Sequence, residues 1–221
     1  MRLYFLLILI LLPFVQKAQV QLKFCLVYDS VIHPPFKLNE TDSLTKVKFY
    51  ISQIKLIGNK KQPFRPKQEH FLIDFNHDST NSRLIRFDSL DHKTIQKIEF
   101  TLGVDTKTSA GGIGEGVLDP VNGMYWTWQS GYINFKMEGV SDKSPARKNR
   151  FQLHLGGFKK PYVSAQTVTL SIKQITADQS VYFDLKKFMN GVNLKKEHTI
   201  MSPSKEAVVL SKLAKSCFYV K

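Results

Sequence analysis

"GYINFKMEG", Gly131 to Gly139, alternates apolar and polar residues without a break. Ile133, Phe135 and Met137 share one face; Asn134, Lys136 and Glu138 share the other. Successive side chains of a strand point to opposite faces, so period two marks a half-buried strand. "RFQLHLGG", Arg150 to Gly157, repeats the pattern with Phe151, Leu153 and Leu155. A long hairpin between the two sets Glu138 opposite Arg150, a favourable cross-strand pair, and Asn134 opposite His154. In this register His154 lies on the face away from the core.

The same alternation runs through Val20, Leu22, Phe24, Leu26 and Tyr28, and through Ile98, Phe100 and Leu102. It returns in Val168, Leu170 and Ile172, and in Val181, Phe183 and Leu185. "KVKFYISQIKL" is also strand-like, but its apolar phase slips between Ile51 and Ile54, as a bulge would make it. The one persuasive helix covers Lys205 to Lys215, capped by Ser202 or Ser204. "DLKKFMNGV" adds a short helical turn. Many short strands without long helices between them predict an all-β fold, an antiparallel β-sandwich with a short C-terminal helix. No repeat and no shift in composition divides the chain.

The 221 residues are 43% hydrophobic, enough to bury a core, and carry a formal net charge of +14. A basic surface attracts nucleic acid, anionic membrane or acidic polymers without choosing among them. The N-terminus narrows the choice. Arg2 precedes an apolar run from Leu3 to Leu12, Pro13 breaks it, and Ala18 stands before Gln19. That order is a secretory signal peptide over residues 1–18, leaving a domain at 19–221. The run is about half the ~20 residues a membrane helix needs, so no transmembrane segment is expected after cleavage. Cleavage would remove Arg2 and Lys17 and leave +12. The expected location is the periplasm or the cell surface, where nucleic acid is no partner.

Cys25 and Cys217 are the two cysteines, each near one end of the mature chain. Outside the cytosol a disulfide between them is expected, with two buried thiols as the alternative. "LKFC" lacks the small residues of a lipid-anchoring signal.

Nucleotide, calcium and hydrolase motifs fail. "GGIGEG" lacks the third fingerprint glycine, since Val117 holds that place and no helix follows. Asp74, Asn76 and Asp78 begin like a calcium loop, but Ser79 stands where glycine belongs and Ile85 where glutamate belongs. An Asx-turn loop is the better reading. No G-x-S-x-G or HExxH occurs, and none of the six histidines pairs at helical spacing. No enzymatic activity is expected.

Upstream of the opening stretch, "GMYWTWQ" spends both tryptophans, Trp126 and Trp128, on alternate positions beside Met124. An unbroken strand from Met124 to Glu138 would put all three on the face of His154. Yet Trp128 and Asn134 are six residues apart, about 20 Å along such a strand. A bend at Gly131 or another register is needed to bring indole and imidazole together. A bulge at Gly131 would instead turn both tryptophans inward. Either the glycine-rich loop Asp105 to Gly123, or the C-terminal helix, covers these rings, or a ligand does. As a residue off the core, His154 should tolerate alanine with little loss of stability.

"GVLDPVNGMYWTWQSGYINFKMEG" followed by "FQLHLGGF" resembles the MbnP-like copper-binding domain family. "KVKFYISQIKL", "HFLIDFN" and "RFDSL…IEFTLGVD" fit the same order, so the resemblance covers about Val20 to Phe218. It implies an exported, β-rich copper protein, a carrier or store, with a di-haem peroxidase-like partner. In related surface proteins, a tryptophan oxidised to kynurenine holds copper together with histidines. Carried over, this implies a metal site with Trp126, Trp128 and His154, with His70 of "HFLIDF" as a second histidine. Met124 suits Cu(I) as a thioether. A cysteine that often follows H-L-G in the family is absent from "HLGGFKK". Two rivals remain: a carbohydrate-binding module with W-x-W as an aromatic platform, and a surface protein in which W-x-W only packs.

Overall fold

The computed structural model describes residues 18–31, 36–59, 62–76, 80–90, 94–128 and 131–221. The expected signal peptide, up to residue 17, falls outside the described residues, as do His33, His77, Asp78 and His92.

The first strands are β1 (Ala18–Tyr28), β2 (Ser30–Val31), β3 (Phe36–Lys37), β4 (Ser43–Gly58) and β5 (His70–Asp74). β6 (Leu84–Leu90), β7 (Ile95–Leu102), β8 (Tyr125–Trp126), β9 (Gly131–Val140) and β10 (Arg150–Gly156) follow. β11 (Gln166–Ser171), β12 (Asp178–Asp184), β13 (Thr199–Ile200) and β14 (Phe218–Tyr219) complete the set. The helices are α1 (Thr106–Ala110), α2 (Leu185–Gly191), α3 (Leu194–Glu197) and α4 (Lys205–Lys215).

One sheet runs β14-β12-β1-β2, with β6 also on β1. The larger runs β11-β7-β4-β9-β10-β13, with β3 and β5 on β4 and β8 on β9. Their inner faces share one core. Phe24 of the smaller sheet meets Phe49 and Phe100 of the larger edge-on, at 6.1 and 5.9 Å between centroids. Such pairs add about 0.5–1.5 kcal/mol beyond the area they bury. The fold is largely all-β, as expected, but not wholly antiparallel. β1 pairs with β12 in parallel, and so does β10 with β13. These neighbours are far apart in sequence, so no tight hairpin imposes opposite directions on them.

Local chemistry accounts for the details. The slip in β4 is a bulge: its register against β7 shifts between Ser52 and Lys55, and Gln53 is left-handed at φ 52°. α4 begins where Ser204 Oγ accepts from Ala207 N at 3.1 Å, and buries Ala207, Leu210 and Ala214. α2 begins where Asp184 accepts from Lys187 N at 2.8 Å. Beyond β5, Asp74 Oδ1 accepts from Asn76 N at 2.9 Å, an Asx turn.

Three expectations need correction. The β9–β10 register is slid by two residues as far as Leu155. There a bulge sets Gly156 opposite Ile133, and Ile133 joins a second cluster instead of the core of Phe135 and Met137. His154 faces Lys136, Glu138 faces Gln152, and Arg150 faces Val140. The loop sets it: Ser141 N donates to Asn149 O at 2.9 Å, and Ser144 Oγ donates to Arg150 O at 2.5 Å. Such buried closures outweigh one exposed charge pair, worth about 1 kcal/mol at most. A two-residue slide preserves parity, so His154 keeps its face. Second, no strand runs unbroken from Met124 to Glu138. Instead β8 pairs antiparallel with β9, Trp126 with Gly131 and Tyr125 with Tyr132. Third, Cys25 and Cys217 are free, buried thiols. Cys217 joins the core, whereas Cys25 alternates with the core residues Phe24 and Leu26 and so points to the other face of its sheet. Cys25 aligns with Tyr182, and Tyr182 with Tyr219, so two ladders of about 4.8 Å intervene, beyond the reach of a disulfide.

Candidate metal centre

The outer face of the larger sheet carries a second, smaller apolar cluster: Tyr50, Val104, Met124, Trp126, Tyr132 and Ile133. Its roof is the glycine-rich loop, not the C-terminal helix. Tyr132 Oη accepts from Gly114 N at 2.9 Å and donates to Gly112 O at 3.1 Å. Tyr50 donates to Val117 O at 2.9 Å, and Lys136 Nζ donates to Gly123 O. Asn134 ties the near edge. Its Oδ1 accepts from Val104 N, and its Nδ2 donates to Ser164 Oγ at 2.8 Å.

The β8–β9 hairpin supplies the bend the sequence required. It folds Trp126 back over β10, where a Cβ on Gly156 would lie 2.6 Å from the indole ring. Glycine is needed there for that reason. Gly156 follows His154 on the same face of β10, and Lys136 sits across from His154. The segment Gly123–Trp126 therefore lies over the strip holding Lys136, His154 and Gly156.

His154 is 4% exposed. Its Nε2 lies 2.7 Å from Glu138 Oε1. That hydrogen bond holds the Glu138 carboxyl down at about 2, against burial and with help from Lys46, whose Nζ lies 3.4 Å from Oε2. Burial pushes the His154 imidazole down, and Lys136 adds to this, so the ring is neutral at pH 7 although Glu138 opposes the shift. An ionised carboxylate only accepts, so Nε2 carries the proton and Nδ1 keeps a bare lone pair. Among the described residues that Nδ1 is buried without a partner, and so is the indole Nε1 of Trp126. Buried polar atoms are seldom left unpaired, and each exception asks for a reason.

The other candidates divide. Met124 is buried in the same cluster as Trp126. Trp128 is 64% exposed, against 1% for Trp126, so W-x-W does not form a two-ring platform. His70 opens β5 opposite Ser52, with Nε2 3.2 Å from Asp105 Oδ2. It lines a separate polar cleft of about 720 Å³ with Gln53, Glu99 and Thr101. Between His70 and His154 lie three strand spacings and four residues, about 20 Å along the sheet. Among the described residues, no three His, Cys, Asp or Glu side chains gather as a metal cage.

The MbnP family model matches residues 14–202. The chain belongs to the MbnP family. The fold agrees with a solved structure, MbnP from Methylosinus trichosporium, at a TM-score of 0.59 over 88% of each chain and 14% identity. Identity that low speaks for the shared fold alone. A comparison with curated proteins finds no match. In this MbnP-family chain the sequence reading missed Glu138 as the partner of His154. The signal was present: the two share a face, and only the two-residue register slide separated them.

Proposed function

We propose that this MbnP-family protein is an exported copper carrier or store rather than a catalyst, with Met124, Trp126 and His154 at its site. The observation that carries the reading is a pair of buried nitrogens, His154 Nδ1 and Trp126 Nε1, that have no hydrogen-bond partner among the described residues. An imidazole whose far nitrogen is held by a carboxylate is the usual arrangement of a metal ligand. Imidazole suits copper in either oxidation state and a thioether suits Cu(I). An intact indole N–H only donates and cannot ligate. Conversion of Trp126 to kynurenine would replace it with an aromatic amine. That conversion removes one carbon and adds one oxygen, so it needs an external oxidant, the role left for an exported di-haem peroxidase-like partner. Exposed Trp128 has no buried site to complete.

The test is metal analysis of protein from its native host, with mass spectrometry of the Trp126 peptide. Bound copper and a peptide with one carbon lost and one oxygen gained support the reading. Because His154 is buried against Glu138, alanine there would strand a carboxylate; His154→Gln keeps a donor for Glu138 and lacks the free Nδ1. It should lower copper affinity at least about tenfold with the fold retained. Copper affinity unchanged in both His154→Gln and Trp126→Phe would sink the assignment.

A further inference from the structure

The positive charge is unevenly spread. Residues 139–221 contain fifteen Lys and Arg against five Asp and Glu, ten of the fourteen surplus charges. Part of this surplus converges at one end of the larger sheet, at the β9–β10 loop and α3. Arg147, Lys148 and Arg150 line an open hollow of about 340 Å³ with Gln152 and Thr199. Lys143 and Lys195 line a neighbouring hollow of about 320 Å³. No acidic side chain lines either one. Among the described residues none of these five cations forms an ion pair. Of the acids nearest in sequence, Asp142 is exposed on the loop and Glu197 accepts from Asn193 N at 3.0 Å.

The loop that presents the arginines is built, not loose. Lys148 and Asn149 are both left-handed, at φ 61° and 54°. Two successive non-glycine residues in this region persist only where the surroundings over-determine them, and such places cluster at ligand clamps. Here Asn149 N donates to Ala146 O at 2.8 Å, and the buried Ser141 and Ser144 pin the two strand ends. Three cations are thus held side by side on a closed turn, where like charges repel unless an anion sits among them. Arginine forks match the oxygens of a tetrahedral oxyanion in pairs, which lysine alone does not.

We infer that the hollow at Arg147, Lys148 and Arg150 is a binding site for a phosphate or sulfate group, borne free or on a lipid headgroup. It lies at the start of β10, separate from the Trp126 and His154 site. Titration of the full chain with inorganic phosphate and sulfate, followed residue by residue by NMR, should move the amides of 146–152 first. Arg147→Gln with Arg150→Gln should weaken this binding at least tenfold, whereas Lys212→Gln with Lys215→Gln on α4 removes the same charge and should change it less than twofold. Vesicles of phosphatidylcholine with and without phosphatidylglycerol distinguish the sources. Capture by the anionic vesicles that the arginine variant loses assigns a headgroup; binding of phosphate with no capture assigns a free anion. Equal loss in the two double variants, shifts confined to other segments, or equally tight binding of poly-glutamate would each overturn the site.

Discussion

Glu138 shows how one residue can set the chemistry of another. It accepts from His154, meets Lys46, and lies 4.0 Å from the Nζ of Lys136. Its carboxyl is held at about 2, chiefly by the His154 hydrogen bond, against an ordinary value of 4.5. A carboxyl with a depressed folded value stabilises the fold above its unfolded value. That contribution is lost as pH falls from about 4.5 towards 2. Glu138→Gln should cost about 1–3 kcal/mol at neutral pH, because Lys136 and His154 lose a charged acceptor. It should also make the acid loss of stability shallower than in the parent. Urea unfolding at a series of pH values below 5 reads both effects. An unchanged acid slope would mean that Glu138 is not the group responsible.

Among the elements, the β8–β9 hairpin decides where the site is. The antiparallel pairing of β8 with β9 puts Trp126 over Gly156 and leaves Trp128 outside. The contact leaves no room for a methyl group, since a Cβ at Gly156 would also lie 2.6 Å from Tyr132 O. Gly156→Ala should therefore destabilise by about 1–3 kcal/mol, the usual cost of overpacking. It should lower copper binding as well, because the indole must move while His154 stays intact. Denaturant unfolding and copper titration of the same variant check this. Lost stability with copper binding unaffected would show that Trp126 only packs.

Across the whole molecule, the first and last strands lie in one sheet without being tied. β1 and β14 both flank β12, and β1 pairs with β12 in parallel. Cys25 and Cys217 still face opposite sides of that sheet. Burial pushes both thiols up, Cys217 to about 11, so neither is readily ionised. The native chain should react slowly with a thiol reagent, and two thiols should titrate on unfolding without reductant. Reductant should leave the thermal midpoint unchanged, whereas a bridge closing so long a loop would contribute about 4–5 kcal/mol. A midpoint that falls with reductant would contradict the arrangement.

Period two was enough to read the strands around Phe24, Phe100, Phe135 and Leu153, because alternation records which side of a strand is dry. The bulge at Gln53 and the helix from Lys205 were legible for the same reason: each is a local break or repeat in that pattern. Parity also placed His154 off the main core. What parity cannot carry is register in steps of two, since sliding by two residues leaves every face unchanged. The pairing of Glu138 with His154 was therefore settled by the loop closure at Ser141 and Ser144. Nor does a short aromatic run say whether it continues or turns back. Trp126 and Trp128 are equivalent in the sequence, and only the hairpin and its glycine-loop roof bury one and expose the other. The free thiols follow in the same way: that each cysteine stands near one end of the chain is visible in one dimension, but the face from which each sulfur points depends on the sheet between them.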